Sequence, residues 1–239
     1  MKPIAVAIIC KTPAAGKSKT RLSPPLRPEE CAAISRCFIG DLAVTIDELA
    51  EEGDAAACAV YTPAGSEDEL RGLLPDGFHL VLQGEGDLGA RLLQGTADLI
   101  EAGFGGAILV NSDSPTLPKS ILRAAVDAVR EGDNVVLSPA FDGGYTLIGL
   151  SRPHPRLFAD MPWSTPDVYR LTLERAREIG LPVVNVPGWY DVDDAASFAM
   201  LEAEFSGSPP SFAAPELVGA LAPATRRFVA QRQHALMRV

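Results

Sequence analysis

Short apolar runs alternate along this chain with longer stretches whose apolar residues recur at helical spacing. That alternation admits few architectures, because each run must be buried beneath the helices that connect it to the next. Strands are expected at 4–10, 56–62, 78–83, 106–111, 134–139, 145–150 and 182–186. Runs such as Ala107-Ile-Leu-Val110 show no polar alternation, which predicts strands covered on both faces and a largely parallel sheet. The first helix is predicted to open at Pro28-Glu29-Glu30, with proline preset for the first turn and acids at the positive end. Ile34, Phe38, Leu42, Ile46 and Leu49 recur along one stripe of it, and Gly53 closes it. Further helices are expected near 88–102, 118–131, 166–179 and 193–204. The reading is a doubly wound, three-layer α/β domain.

The texture changes after Phe205. Ser206-Gly-Ser-Pro-Pro-Ser211 has linker composition, so residues 1–205 are read as one domain and 206–239 as a linker and tail. The tail's basic end, from Arg226 to Val239, is expected to be helical. It would pack either on the domain or on a second subunit, as in a homodimer.

A net charge of −10 argues against nucleic acid as a partner, since a phosphate backbone asks for a broad basic face. No apolar run approaches the ~20 residues of a membrane span, and a cytoplasmic protein is expected. Cys10, Cys31, Cys37 and Cys58 lack C-x-x-C spacing and read as small buried hydrophobes. His79, His154 and His234 are scattered and suggest neither a zinc site nor a triad.

Against that acidity, five cations and no acid lie between Lys11 and Arg27. Lys11, Lys17, Lys19, Arg21 and Arg27 follow the first strand on a Gly/Pro-punctuated loop, where open α/β sheets bind ligands. Concentrated positive charge on an acidic chain calls for an anion, and a phosphate chain is the commonest small-molecule candidate. Gly16-Lys17-Ser18 ends like a P-loop, but Lys11 stands where its first glycine belongs. Pro24, Pro25 and Pro28 also block the helix that should follow at once. The loop is therefore read as a longer anion-binding loop.

Gly84-Glu-Gly-Asp-Leu-Gly89 spells a dinucleotide fingerprint, yet Glu85 and Asp87 would face a pyrophosphate with like charge. A nucleotide base lying against Gly84 and Gly89, with Gln83 as its hydrogen-bonding partner, is the preferred reading. Asp113 ends a hydrophobic strand, where an isolated carboxylate is costly unless paired or coordinated. It reads as a Mg²⁺ ligand, with Ser114 or Thr116 free to cap the next helix. Phe141-Asp142-Gly143-Gly144-Tyr145 reads equally as a tight turn and as backbone that a substrate touches. Trp163-Ser-Thr-Pro-Asp167 has the grammar of a helix start, with Ser164 or Thr165 as cap. Asp191 and Asp193 alternate about Val192, so in an extended segment both face one way and repel unless a cation lies between them. Either Asp193 or Asp194 caps the helix that follows.

Together, Lys17-Ser-Lys-Thr-Arg-Leu22, Gln83–Gly89, Ser112–Pro118, Asp142–Tyr145, Pro162–Asp167 and Asp191-Val-Asp193 resemble the nucleotide-diphospho-sugar transferase superfamily, in particular its bacterial glycosyltransferase-like family. The chain is also similar to 2-phospholactate guanylyltransferases. The resemblance spans roughly residues 4–205 and implies the glycosyltransferase-A fold, Rossmann-like with a mostly parallel mixed sheet. It further implies that Lys17 and Arg21 hold a triphosphate while Asp113, Asp191 and Asp193 bind metal and acceptor. The chain departs from its relatives in two places: the first loop lacks Gly-x-Gly, and Asn111-Ser-Asp113 is not Asp-x-Asp.

The expected function is Mg²⁺- or Mn²⁺-dependent nucleotidyl transfer from a nucleoside triphosphate to a small phosphorylated acceptor. Lys17, Arg21 and Asp113 would be catalytic, Lys11, Lys17, Arg21, Gln83, Gly84 and Gly89 would bind nucleotide, and Ser114, Asp142, Gly143 and Gly144 would bind substrate. The alternatives are glycosyl transfer from a nucleotide-sugar to a hydroxylated acceptor, dinucleotide-dependent oxidoreduction and non-catalytic nucleotide binding.

Overall fold

The computed structural model describes residues 2–237. Its seven strands are β1 (Ile4–Lys11), β2 (Ala55–Thr62), β3 (His79–Leu82), β4 (Ala107–Asn111), β5 (Val135–Pro139), β6 (Tyr145–Leu150) and β7 (Val183–Asn185). They form one sheet in the order β3-β2-β1-β4-β6-β5-β7. β1 pairs in parallel with β2 and β4, β2 with β3, and β5 with β7. Only β6 runs against its neighbours, pairing antiparallel with β4 and β5. The sheet is therefore mixed and mostly parallel, as expected.

Among the described residues seven α-helices complete the fold: α1 (Pro28–Ala50), α2 (Glu67–Arg71), α3 (Leu88–Glu101), α4 (Lys119–Arg130), α5 (Val168–Glu178), α6 (Ala195–Phe205) and α7 (Pro223–Leu236). The short α2 has no counterpart in the sequence reading. Strand β1 shows why the sheet needs two covers. Ile4, Val6, Ile8 and Cys10 enter the core shared with α1 and α4, while Ala5 and Ala7 enter the core shared with α3 and α5. Bulky residues on one face and alanines on the other set how closely each helical layer approaches.

The chain lays β2 and β3 outward on one side of β1, then returns through α3 to place β4 on the other side. That reversal opens a crevice at the carboxyl ends of β1 and β4. Because β6 runs backwards, its first residue, Tyr145, lies at the same edge. The Phe141–Tyr145 segment closes a β5–β6 hairpin, with Ala140 N–H donating to Gly144 O at 2.9 Å. The tight-turn reading thus holds, and Asp142 and Gly144 also border a cavity.

Several caps differ from expectation. Ser114 and Thr116 do not cap α4, which starts after Pro118 with no side-chain cap; both hydroxyls are spent on the site and its supports. Helix α5 starts at Val168, and Thr165 Oγ1 donates backwards to Pro162 O at 2.8 Å instead of capping it. Asp194, one of two candidates, does cap α6, in a reciprocal pair with Ser197. The tail packs on the domain: buried Asp41 of α1 accepts from the backbone N–H groups of Ala224 at 3.0 Å and Thr225 at 2.7 Å, at the start of α7. Among the described residues no helix is long and apolar enough to cross a membrane.

Candidate active site

The loop after β1 is held at both ends. Thr12 N–H donates to Thr62 O at 2.8 Å, which keeps the loop's start beside the end of β2. At the far end Leu22 and Leu26 are fully buried against α1 and its Phe38. Between them the backbone turns through Lys19, whose φ of 50° is left-handed, into a single 3₁₀ turn over Thr20–Leu22. This turn separates neighbouring cations. Arg21 stays largely in solvent, whereas the Lys19 side chain is driven inward to 7% exposure.

Lys19 Nζ lies 2.8 Å from Asp113 Oδ2, 2.8 Å from Asp193 Oδ1 and 2.9 Å from Val192 O. Burial alone would lower the Lys19 pKa, but Asp113 and Asp193 outweigh it and leave it raised. Arg21 Nη2 reaches the other oxygen of Asp193 at 2.9 Å. Asp191 points the same way as Asp193, as the alternation about buried Val192 predicts. Its oxygens accept from Ser114 Oγ at 2.5 Å and Asn111 Nδ2 at 3.2 Å, and among the described residues no cation pairs with it. Burial chiefly pushes Asp191 up to about 7; the Ser114 bond opposes the shift, and the like charges of Asp113 and Asp193 add to it.

Two adjoining cavities meet at Arg21, Asp113 and Asp193. The first, about 260 Å³, is lined by Lys11, Lys17, Lys19 and Arg21. The second, about 320 Å³, is lined by Asp142, Gly144, Asn111 and Asp191 with the apolar walls of Leu88, Leu92 and Trp163. Lys11, Lys17, Arg21, Asp113, Asp191, Asp193, Asp142 and Gly144 are therefore brought together around these two cavities. Ser114 is buried behind Asp191 and supports it.

Gln83, Gly84, Gly89 and Gly143 line neither cavity. Gln83 Nε2 donates to Cys10 O and Val60 O, both at 3.0 Å, and so ties the ends of β1 and β2. At Gly89 a Cβ would fall 2.7 Å from Phe158 O and 2.9 Å from Trp163 Cζ2, so the glycine admits close packing. Gly143 is pressed against the Pro166 backbone in the same way. Asp87, whose charge spoke against a pyrophosphate here, caps α3 through Ala90 N–H at 2.9 Å. Lys19, Asn111 and Ser197 carry site contacts that sequence reasoning did not assign. For Lys19 the signal was its place among the cations of Lys17–Arg21.

The expected metal position is differently arranged. Each carboxylate oxygen of Asp113, Asp191 and Asp193 accepts from a donor of the chain itself: Ser112 and Lys19, Ser114 and Asn111, Lys19 and Arg21. Among the described residues no group of three or more His, Cys, Asp or Glu side chains is disposed to hold a metal. The donor set as folded therefore fits an ammonium and does not fit Mg²⁺ or Mn²⁺.

A family profile described as an uncharacterized protein conserved in bacteria, DUF2064, matches residues 45–165, just over half of the chain. The chain belongs to the DUF2064 family. The matched stretch holds Asp113 and Asp142 and excludes the basic loop and Asp191-Val-Asp193. No curated protein matches the chain by sequence. Among solved structures, this DUF2064 protein is similar to a candidate nucleotide-diphospho-sugar transferase of Desulfovibrio desulfuricans G20. The two are 26% identical, with a TM-score of 0.83, over 100% of this chain and 98% of that one. It also shares its fold with a CMP:2-keto-3-deoxy-manno-octonic acid synthetase complexed with CTP (10% identity, TM-score 0.54, 86% of this chain and 99% of that one). A cytidylyltransferase of Leptospira borgpetersenii aligns at 11% identity and a TM-score of 0.54, over 99% and 96% of the two chains. This DUF2064 protein has the fold of the nucleotide-dependent transferases.

Proposed function

We propose that this DUF2064 protein transfers a nucleotidyl group from a nucleoside triphosphate to a hydroxyl-bearing acceptor. The observation that carries the reading is the pair of cavities of opposite character meeting at Arg21, Asp113 and Asp193. The basic cavity, with four cations against Asp113 and Asp193, suits a triphosphate. The second cavity offers Asp113, Asp142, Asp191 and Asp193; Lys19 and Arg21 pair with Asp113 and Asp193, which leaves Asp142 and Asp191 without a cation among the described residues. Such a lobe repels an acceptor phosphate, so a hydroxylated acceptor replaces the phosphorylated one expected from sequence.

In this reading the acceptor oxygen attacks the α-phosphorus, the bond to the bridging oxygen breaks, and pyrophosphate leaves. Lys11, Lys17 and Arg21 offset the charge that gathers on the leaving group. Asp191, which pairs with no cation among the described residues and lines the acceptor lobe, takes the hydroxyl proton. No step is routed through a divalent ion.

A second reading is glycosyl transfer from a nucleotide-sugar. It is supported by the same acidic lobe and by the likeness to the candidate nucleotide-diphospho-sugar transferase. Pyrophosphate release with each triphosphate and a panel of hydroxylated acceptors tests the first reading. Silence there, together with nucleoside-diphosphate release from a nucleotide-sugar, selects the second.

A further inference from the structure

We propose that Lys19 is the resident cation of the Asp113–Asp193 pair, so that in the nucleotide-free chain a divalent metal reaches these carboxylates only by displacing its ammonium. The inference concerns the site of the proposed transferase but rests on the free chain's geometry alone.

Three oxygens from two separate loops converge on Lys19 Nζ at 2.8–2.9 Å, the arrangement in which a protein surrounds a bound cation. The position is enclosed. The Lys19 side chain is 7% exposed, and the Phe38 ring lies 5.8 Å from the ammonium, contributing its electron-rich face. The carboxylate oxygens that Lys19 leaves free are held by other donors of the chain. The remaining oxygen of Asp113 accepts from Ser112, that of Asp193 from Arg21, and both oxygens of Asp191 from Ser114 and Asn111. Mg²⁺ and Mn²⁺ prefer octahedral oxygen shells that keep several waters, and an ammonium wedged between the two carboxylates excludes that shell.

The backbone makes this placement a property of the fold. The left-handed turn at Lys19 and the insertion of Leu22 into the core aim this lysine inward while Lys17 and Arg21 remain outside. The lysine is thus tethered at the point where the two carboxylates meet the phosphate lobe. It supplies one positive charge there permanently, where a metal site would supply two on demand.

Mn²⁺ titration followed by electron paramagnetic resonance, on nucleotide-free protein, tests this. The wild-type chain is expected to bind no Mn²⁺ below the millimolar range. Lys19→Met, which keeps the apolar stem, should gain a site at least tenfold tighter, and Lys19→Met/Asp113→Asn should lose it again. Submillimolar binding by the wild type, reversed by Asp113→Asn, overturns the proposal, and this arm does not depend on any Lys19 variant folding. A Lys19→Met protein that melts cooperatively yet binds Mn²⁺ no better than wild type overturns it as well. Because no nucleotide is present, either failure leaves the pyrophosphate test of the transferase reading intact.

Discussion

The backbone N–H of Val192 donates to the carbonyl oxygen of Asp113 over 2.8 Å. This bond splices the loop after β4 to the extended segment after β7, and so sets the spacing of Asp113 from Asp191 and Asp193. The Val192 side chain is fully buried, which turns both flanking aspartates outward into the cavities. Val192→Ala should cost roughly 1–3 kcal/mol, by lost transfer energy and an unfilled cavity, read from urea unfolding. Turnover should fall further than stability accounts for, because both aspartates lose their backing.

Lys17 and Arg21 should separate binding from folding. Both are exposed, and the Arg21–Asp193 pair lies at the surface, so alanine at either position should change stability by less than about 1 kcal/mol. Each loss should weaken triphosphate binding about tenfold, close to 1.4 kcal/mol, and the salt dependence of binding should flatten. Isothermal titration at two ionic strengths measures both. Unchanged affinity in the double variant would remove the phosphate assignment.

Asp41 latches the tail. Its buried carboxylate satisfies two backbone donors at the opening of α7, where the helix dipole also favours negative charge. Asp41→Ala leaves those donors without a partner and should cost about 1–3 kcal/mol. Limited proteolysis should then cut between residues 206 and 222 faster than in the wild type, before the sheet unfolds.

Gly89→Ala tests the packing reading of the glycine-rich segment. Its Cβ would meet a backbone oxygen of Phe158, which cannot swing away as a flexible side chain would. A destabilisation of roughly 1–3 kcal/mol is expected, with triphosphate affinity unchanged once the protein is folded. A selective loss of nucleotide affinity at wild-type stability would return Gly89 to the nucleotide site.

Asp133 provides a pH signature remote from the site. Its carboxyl bonds Arg152 and lies 2.8 Å from His154 Nε2; the Arg152 bond first, then His154, hold its pKa down at about 2. A lowered folded-state pKa stabilises above the unfolded value, near 3.9, and that contribution is lost as pH falls towards 2. Asp133→Asn should therefore lower the melting temperature slightly at pH 7. The gap to wild type should close between pH 4 and pH 2. The pair is partly exposed, so its worth is no more than about 1 kcal/mol and should shrink in salt.

Sequence alone determined the layers, the strand edge that carries the site, and the shared direction of Asp191 and Asp193. These follow from periodicity, which states where a side chain points within a strand or helix. It also marked the basic loop, because a cation cluster without acids stands out in an acidic chain. Only the tertiary structure decided which lysine enters the carboxylates. The loop has no period, and the direction of Lys19 depends on a left-handed residue, on Leu22 in the core, and on Asp193, a partner 174 positions away. The packing and supporting contacts of Gln83, Gly89 and Ser114 were hidden for the same reason. Each is a residue type that serves a ligand or a fold equally well, and its role is set by what long-range packing places beside it. Lys17 and Lys19 are two residues apart in the chain; the fold leaves one in solvent and buries the other between two acids.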